Sequence, residues 1–283
     1  MAVSTGPAVQ GLSRFSLTTG GAGELAAFYE NALGCRRIAT EQISGAAFEA
    51  LMGVGGGALR ITLNLGEQII ELLQFDQRGN PYPENASASD LIFQHFAIVV
   101  SDMAQAYARL CATPHWTPIS NGGPQKLPQS SGGATAFKFR DPEGHPLELL
   151  AFPPNNMPVS WHTSRAHLCL GIDHSAISVS NIDMSAKFYE SLGFEATSRS
   201  MNRGLAQQNL DGLPDVTVEV VALAIKRATP HLELLCYRSS APPRQYSLRN
   251  NDIAATRIVL ADSNAALRCF LDPDGHHFVM VPR

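Results

Sequence analysis

Residues 171–193 read GIDHSAISVSNIDMSAKFYESLG, and residues 11–34 read GLSRFSLTTGGAGELAAFYENALG. Each is a strand-like stretch, a turn, a short helical stretch through Phe-Tyr-Glu, and a Leu-Gly ending. Gly34 and Gly193 suit helix C-termini, because glycine takes a positive φ without strain. A second pair of repeats lies further on: FRDPEGHPLELLAF (139–152) and FLDPDGHHFVMVP (270–282). Asp-Pro-Glu-Gly and Asp-Pro-Asp-Gly are tight-turn sequences between two strands. The chain is therefore read as internally repeated, and the repeat decides the fold class.

Four units follow. The first, about 11–75, has a strand, a helix over 23–33 and strands near 35–43, 58–65 and 67–75. The second, about 93–152, has a strand at 94–101, a helix at 103–111 and strands near 134–140 and 145–152. The third, about 171–238, has a strand at 173–180, a helix at 183–192 and strands near 194–200, 215–226 and 230–238. The fourth, 253–283, is truncated: strands at 255–261, 265–271 and 276–282, with no helix. Connectors rich in Pro, Asn and Ser lie at 76–90, 153–165 and 239–250. The class is α+β. One helix covers one face of each small sheet, so the other face needs a partner sheet or a cavity. Alternation in HFAIVV sends Phe96, Ile98 and Val100 one way and His95, Ala97 and Val99 the other. In HSAISV, Ile177 and Val179 form the apolar face, while His174, Ala176 and Ser178 suit the lining of a cup.

Composition narrows the function. Of 283 residues, 45% are hydrophobic and 16% charged, enough for a sizeable core and against general disorder. The net charge of −4, with no dense Lys/Arg run, argues against nucleic acid. Mean hydropathy is −0.04 and no apolar run reaches membrane-spanning length. The five cysteines are scattered and include no CxxC pair, against a disulfide scaffold or a thiolate zinc site. The opening MAVSTGPAVQGLSRF lacks the pattern of a secretory signal, so a cytoplasmic protein is expected.

With these repeats, the chain resembles the vicinal oxygen chelate superfamily, which includes glyoxalase I, extradiol dioxygenases, methylmalonyl-CoA epimerase and bleomycin and fosfomycin resistance proteins. The stretch His174–Phe194 resembles the glyoxalase first-module signature, with Ser175 the visible departure; QHFAIVVSD with DPEGHPLELLAF resembles a second module. The resemblance implies four βαβββ modules, the fourth truncated, in two curled-sheet domains: residues 1–152 and 171–283, joined by a linker over 153–170. It also implies metal ligands at two places per module, a His or Gln early in the first strand and a Glu in the last. Mapped here, these are Arg14 and Glu71, His95 and Glu148, His174 and Glu233, and Ala255 and Val279.

Modules two and three keep both ligand types. If they share a cup, it holds His95, Glu148, His174 and Glu233 around a divalent ion (Fe, Mn, Ni, Co or Zn), and modules one and four close a metal-free cup. The competing arrangement pairs one with two. A carboxylate on an apolar strand is costly unless paired or ligated, which favours Glu148 and Glu233 as ligands. Glu71 has a salt bridge to Arg14 as its alternative. His231 reads as an edge-strand surface residue. His145, His276 and His277 follow turns and are expected to be exposed, while His115, His162 and His167 carry no signal. Tyr29, Phe28, Tyr189 and Phe188 read as helix residues packed on a sheet. Trp116 and Trp161, in loops, could stack on a flat ligand.

By resemblance, the metal would stabilise an enediolate formed by proton removal, with Glu148 or Glu233 as base. Lys138 would neutralise an anionic substrate, and Arg14 would bind an anionic ligand. The expectation is a glyoxalase-like lyase, isomerase or epimerase acting on a small oxygenated metabolite, as a monomer or homodimer. Extradiol cleavage is the second choice: Lys138 stands where that pattern wants a Tyr, and module four has Ala255 and Val279. A metal-free, bleomycin-resistance-like binding protein is the third.

Overall fold

The computed structural model describes residues 9–162, 167–238, 242–263 and 266–282. The chain start, parts of the expected linker (163–166) and connector (239–241), and residues 264–265 and 283 lie outside them. The first module runs β1 (Val9–Thr18), α1 (Ala22–Leu33), β2 (Arg36–Ile43), α2 (Ala46–Met52), β3 (Ala58–Leu65) and β4 (Gln68–Phe75). The second runs β5 (Gln94–Val100), α3 (Met103–Cys111), two short strands β6 (Thr117–Pro118) and β7 (Gln125–Lys126), β8 (Thr135–Arg140) and β9 (Pro146–Ala151). The third runs β10 (Cys169–Ser178), α4 (Ile182–Ser191), β11 (Glu195–Arg203), α5 (Leu205–Asp211), β12 (Thr217–Ile225) and β13 (Arg227–Tyr237). The fourth is β14 (Arg257–Asp262), β15 (Arg268–Leu271) and β16 (His277–Pro282).

Two sheets result. One has seven strands in the order β15-β16-β14-β1-β4-β3-β2, and the other is β11-β12-β13-β10-β5-β9-β8-β6, with β7 added on β8. Module one thus shares a sheet with module four, and module two with module three. Both central pairs, β1 with β14 and β10 with β5, are antiparallel. Each sheet takes one module from each half of the chain.

The apolar faces of both sheets, with α1, α3 and α4, build a single core in which Phe15 of β1 stacks on Phe96 of β5 at 5.4 Å. Alternation along the strands then leaves the opposite face of each sheet free to line a cavity. No helix among the described residues is long and apolar enough to cross a membrane.

The turns after β8 and β15 are clamps. Asp141 Oδ1 accepts the backbone N–H of Glu143 and of His145, and Asp272 Oδ1 accepts those of Asp274 and His276. Tyr29 of α1 donates to Asp141 Oδ2 at 3.1 Å, and Tyr189 of α4 donates to Asp272 Oδ2 at 2.6 Å. The two tyrosines therefore tie modules together as well as pack. His145, expected to be exposed, is buried: Nδ1 lies 2.8 Å from Asp141 Oδ2, and Nε2 lies 3.0 Å from the carbonyls of Thr18 and Ile253. His276 is likewise buried, with Nε2 2.8 Å from the Ser178 carbonyl. His277, also buried, faces Asn250 Oδ1 at 3.1 Å, and burial pushes its imidazole down to about 4. The His145 and His276 rings replace water for backbone carbonyls at module junctions, where an unpaired carbonyl would be costly.

Candidate active site

The nine-stranded sheet carries its polar residues in two rows across the strands. Glu148 of β9, Ala97 of β5, His174 of β10 and His231 of β13 lie side by side. In the next row are His95 of β5, Ala176 of β10 and Glu233 of β13. The fully buried alanines leave the space into which the larger side chains lean. A bulge between Ile172 and His174 shifts β10 by one residue, so that Ile172 enters the core while the neighbours Asp173 and His174 both line the cup. An equivalent register shift precedes Arg14 in β1. Gly171 enters this bulged segment with φ +155°; a Cβ there would stand 2.4 Å from Gln68 Oε1 and 2.9 Å from the Trp161 ring.

Ligand-type atoms of His95, Glu148 and His174 all lie within 4.8 Å of one another. His95 Nε2 is 3.0 Å from Glu148 Oε2. Neither ring nitrogen of His95, a residue only 2% exposed, makes a geometrically sound hydrogen bond. Glu233 stands on the far side of His174, 3.6 Å from its Nε2, and 3.5 Å from His231 Nε2. The four expected ligands therefore line one cup, with three of them converging on a point and Glu233 beside it. A second cluster, Asp173, His174 and His231, shares His174. His231 is a half-buried member of the cup wall, not the surface residue expected. Its place was readable in HLELLCY, since alternation puts His231, Glu233, Leu235 and Tyr237 on one face. The Tyr237 hydroxyl, buried beside Asp211, has no hydrogen-bond partner among the described residues.

His174 is held in orientation from behind. Its Nδ1 lies 3.1 Å from Asp173 Oδ2, and the other Asp173 oxygen accepts from Trp161 Nε1 at 3.1 Å. Trp161 is buried in that support, with no face left for stacking on a ligand, and Trp116 packs on Phe137 and Phe139.

Lys138 of β8 is buried. Its Nζ is 2.7 Å from Asp211 Oδ1 and 3.9 Å from Glu148 Oε2. Asp211 comes from α5, a helix absent from the sequence reading. Ser120 fixes that helix against β8, donating from Oγ to the Leu210 carbonyl while accepting the Lys138 N–H, both at 2.8 Å. The cavity under α5 has a volume of about 500 Å³, with Leu150, Phe152, Leu210, Val218 and Val220 as apolar wall and Asn202 and Gln207 near its edge.

The charges follow from this crowding. Burial works against a charged His174, but Glu233, Asp173 and Glu148 outweigh it and carry the imidazole up to about 9. Glu233 resists burial through His174 and His231, which hold its carboxyl well below the usual range. Glu148 is lowered too, since His95 and Lys138 outweigh desolvation. His95 is pushed down by burial and by Lys138. Lys138 is raised, because Asp211 and Glu148 overcome its burial.

Arg14 and Glu71 lie in a separate cup on the seven-stranded sheet, 2.9 Å apart, with Arg60 3.5 Å from the same Glu71 oxygen. The two sheets superpose in register: Ser16 pairs with Glu71 and Arg257 as Ala176 pairs with Glu233 and His95. The residue standing where His95 stands is therefore Arg257, not Ala255, which precedes the strand. Val279, opposite Val259, holds the place of Glu148 as expected.

A family model described as Glyoxalase/Bleomycin resistance protein/Dioxygenase superfamily matches residues 11–149. This stretch belongs to that superfamily. The fold of the whole chain is similar to glyoxalase I from Zea mays, with 15% identity, TM-score 0.61, and coverage of 96% of this chain and 92% of that one. It is also similar to a putative dioxygenase from Bacillus subtilis, with 14% identity, TM-score 0.58, and coverage of 96% and 84%. At such identities the likeness shows the fold alone. Comparison with curated proteins gives no match. The superfamily stretch covers modules one and two, and modules three and four complete the same two sheets.

Proposed function

We propose that the cup of modules two and three is the active site of a metal-dependent enzyme that moves a proton on a small oxygenated metabolite, by isomerase, epimerase or lyase chemistry. The observation that supports this best is the convergence of His95, Glu148 and His174 in a buried cup, with His95 Nε2 3.0 Å from Glu148 Oε2 and His95 Nδ1 without a hydrogen-bond partner among the described residues. Imidazoles and a carboxylate gathered in a buried cup are costly to leave without full partners, and a divalent ion satisfies all of them at once. His95, Glu148 and His174 would hold the ion, with Glu233 as a fourth ligand or as base. The set is imidazole and carboxylate, which suits Fe, Mn, Ni, Co or Zn. When bound, such an ion supplies Lewis-acid stabilisation of the charge that builds on a substrate oxygen as a neighbouring C–H proton leaves.

The chain's own groups do the rest. Asp173 and Trp161 fix the His174 ring from behind, which points Nε2 into the cup. Glu233 is ionised and faces the cup with its side chain partly exposed, placed to accept a proton at Oε1 or Oε2. Lys138 keeps a positive charge at the cup floor and would face an anionic substrate oxygen. The apolar wall excludes water. The accompanying reading is a cytoplasmic protein whose partner is a small molecule.

A second reading is favoured by one contact. Lys138 Nζ already lies 3.9 Å from Glu148, so the carboxylate has a built-in cation and the cup could serve a metal-free binding protein. Incubating metal-loaded protein in D2O with hydroxyketones and other epimerisable carbonyl compounds separates the two. Deuterium incorporation that requires metal and fails in Glu233→Gln supports the enzyme. No incorporation by a loaded protein that still binds these compounds supports the binder.

A further inference from the structure

The cup of the seven-stranded sheet encloses a cavity whose lining, among the described residues, contains no imidazole. Its volume is about 510 Å³. Three buried donor atoms in its floor, Arg14 Nε, Ser16 Oγ and Arg60 Nε, make no hydrogen bond among the described residues. Arg14 Nε is 2.9 Å from Glu71, yet the approach does not satisfy hydrogen-bond geometry. Ser16 is 2% exposed, so its orphan hydroxyl has no bulk water to fall back on. Next to Ser16 in the register lies Arg257, fully buried, bonded to the Asn250 carbonyl and Thr18 Oγ1, with no carboxylate paired to it among the described residues.

Arg14 and Arg60 line the cavity beside Glu71, and at the rim Glu41 accepts from Arg60 Nη2 at 2.7 Å. Buried guanidinium and hydroxyl donors without a hydrogen-bond partner call for an acceptor, and guanidinium groups favour an anionic one. The rest of the cavity is apolar: Phe48, Leu51 and Met52 from α2, Leu73, and Val259 and Val279 opposite.

We infer that this second cup is a binding site for an amphiphilic organic monoanion, a carboxylate with an aliphatic or aryl tail, seated on Arg14, Ser16 and Arg60. The carboxylate takes the guanidinium and hydroxyl hydrogens, and the tail lies against α2 and Val279. The carboxylate of Glu71 in the same floor and the apolar wall favour a monoanion with a tail over a phosphate dianion. The site goes beyond the function proposed above and shares no residue with it.

The test is calorimetric titration of the full chain with octanoate, octanamide and inorganic phosphate. Octanoate is expected to bind about tenfold or more tightly than octanamide, the factor that one charge-assisted hydrogen bond supplies. That binding should vanish in Arg14→Gln/Arg60→Gln and persist in His95→Ala/His174→Ala, which alters only the other cup. Val279→Phe keeps every charge and fills the cavity, so it should weaken octanoate even if the arginine variant does not fold. Equal affinity for octanoate and octanamide, tighter binding of phosphate, or loss of octanoate in the histidine variant but not in the arginine or Val279 variants would each overturn the inference.

Discussion

Replacing Lys138 with methionine removes the cation that joins module two to α5 of module three. Lys138 and Asp211 are 4% and 2% exposed and 2.7 Å apart. Without the lysine, Asp211 keeps one good donor, Gln207 Nε2 at 2.7 Å, and Glu148 keeps only His95. Breaking a buried pair by deleting one partner costs about 3–5 kcal/mol, because the survivor's charge is stranded. Lys138→Met should therefore lose about 3 kcal/mol in urea unfolding at neutral pH. Asp211→Asn should lose a similar amount, since it strands the lysine. The double variant removes both charges and should lose much less than the sum, with a coupling of about 2 kcal/mol or more. A cost of Lys138→Met below about 1 kcal/mol, or strict additivity in the double variant, would refute the pair as a structural tie.

The same cup predicts a pH dependence. His174 must be neutral to ligate a metal, and its pKa is raised to about 9, so metal affinity should climb about tenfold per pH unit up to about 9; a flat competition titration with a chromophoric chelator would contradict this. In metal-free protein the sign is the reverse. The raised imidazole adds stability that is full below its ordinary 6.5 and is lost as pH rises through about 9, a fall of about 3 kcal/mol measurable by urea melts across that window. Asp173→Asn weakens the brace on His174 and should lower metal affinity about 10–100-fold with little change in far-ultraviolet circular dichroism. Tyr189→Phe removes the donor to buried Asp272 and should destabilise by about 1–3 kcal/mol, read by thermal melting.

The uneven spread of ligand types, with His95, Glu148, His174 and Glu233 on two modules and Arg14 and Val279 on the others, favoured the two-plus-three pairing that the sheets show but left one-plus-two as its competitor. Strand alternation placed these side chains on the cup face without any knowledge of the sheet. Alternation could not anticipate the bulge that turns Asp173 into the cup beside His174, since a bulge is set by pairing with β5 and by the crowding around Gly171. Two helices escaped the reading. AAFEALM and LAQQNLD are seven residues each, too short for a hydrophobic period to show. Their signal was the repeat itself: each is bracketed by glycines with positive φ, Gly45 and Gly53 in one case, Gly204 and Gly212 in the other. Losing the second of them lost Asp211, and with it the reason Lys138 can be buried. The error over His145 and His276 came from treating a turn as solvent. The Asp at the head of each turn satisfies the backbone locally, which frees the histidine ring to reach across modules.

The central claim, that modules two and three share one metal cup, is tested most directly by metal content. Tag-free protein, purified without added metal and then equilibrated with Fe, Mn, Ni, Co or Zn, should hold one ion per chain by elemental analysis, and His95→Ala/His174→Ala should hold none while remaining folded. Retention of the ion by the double variant, or failure of the native chain to hold any of the five ions, would contradict the account.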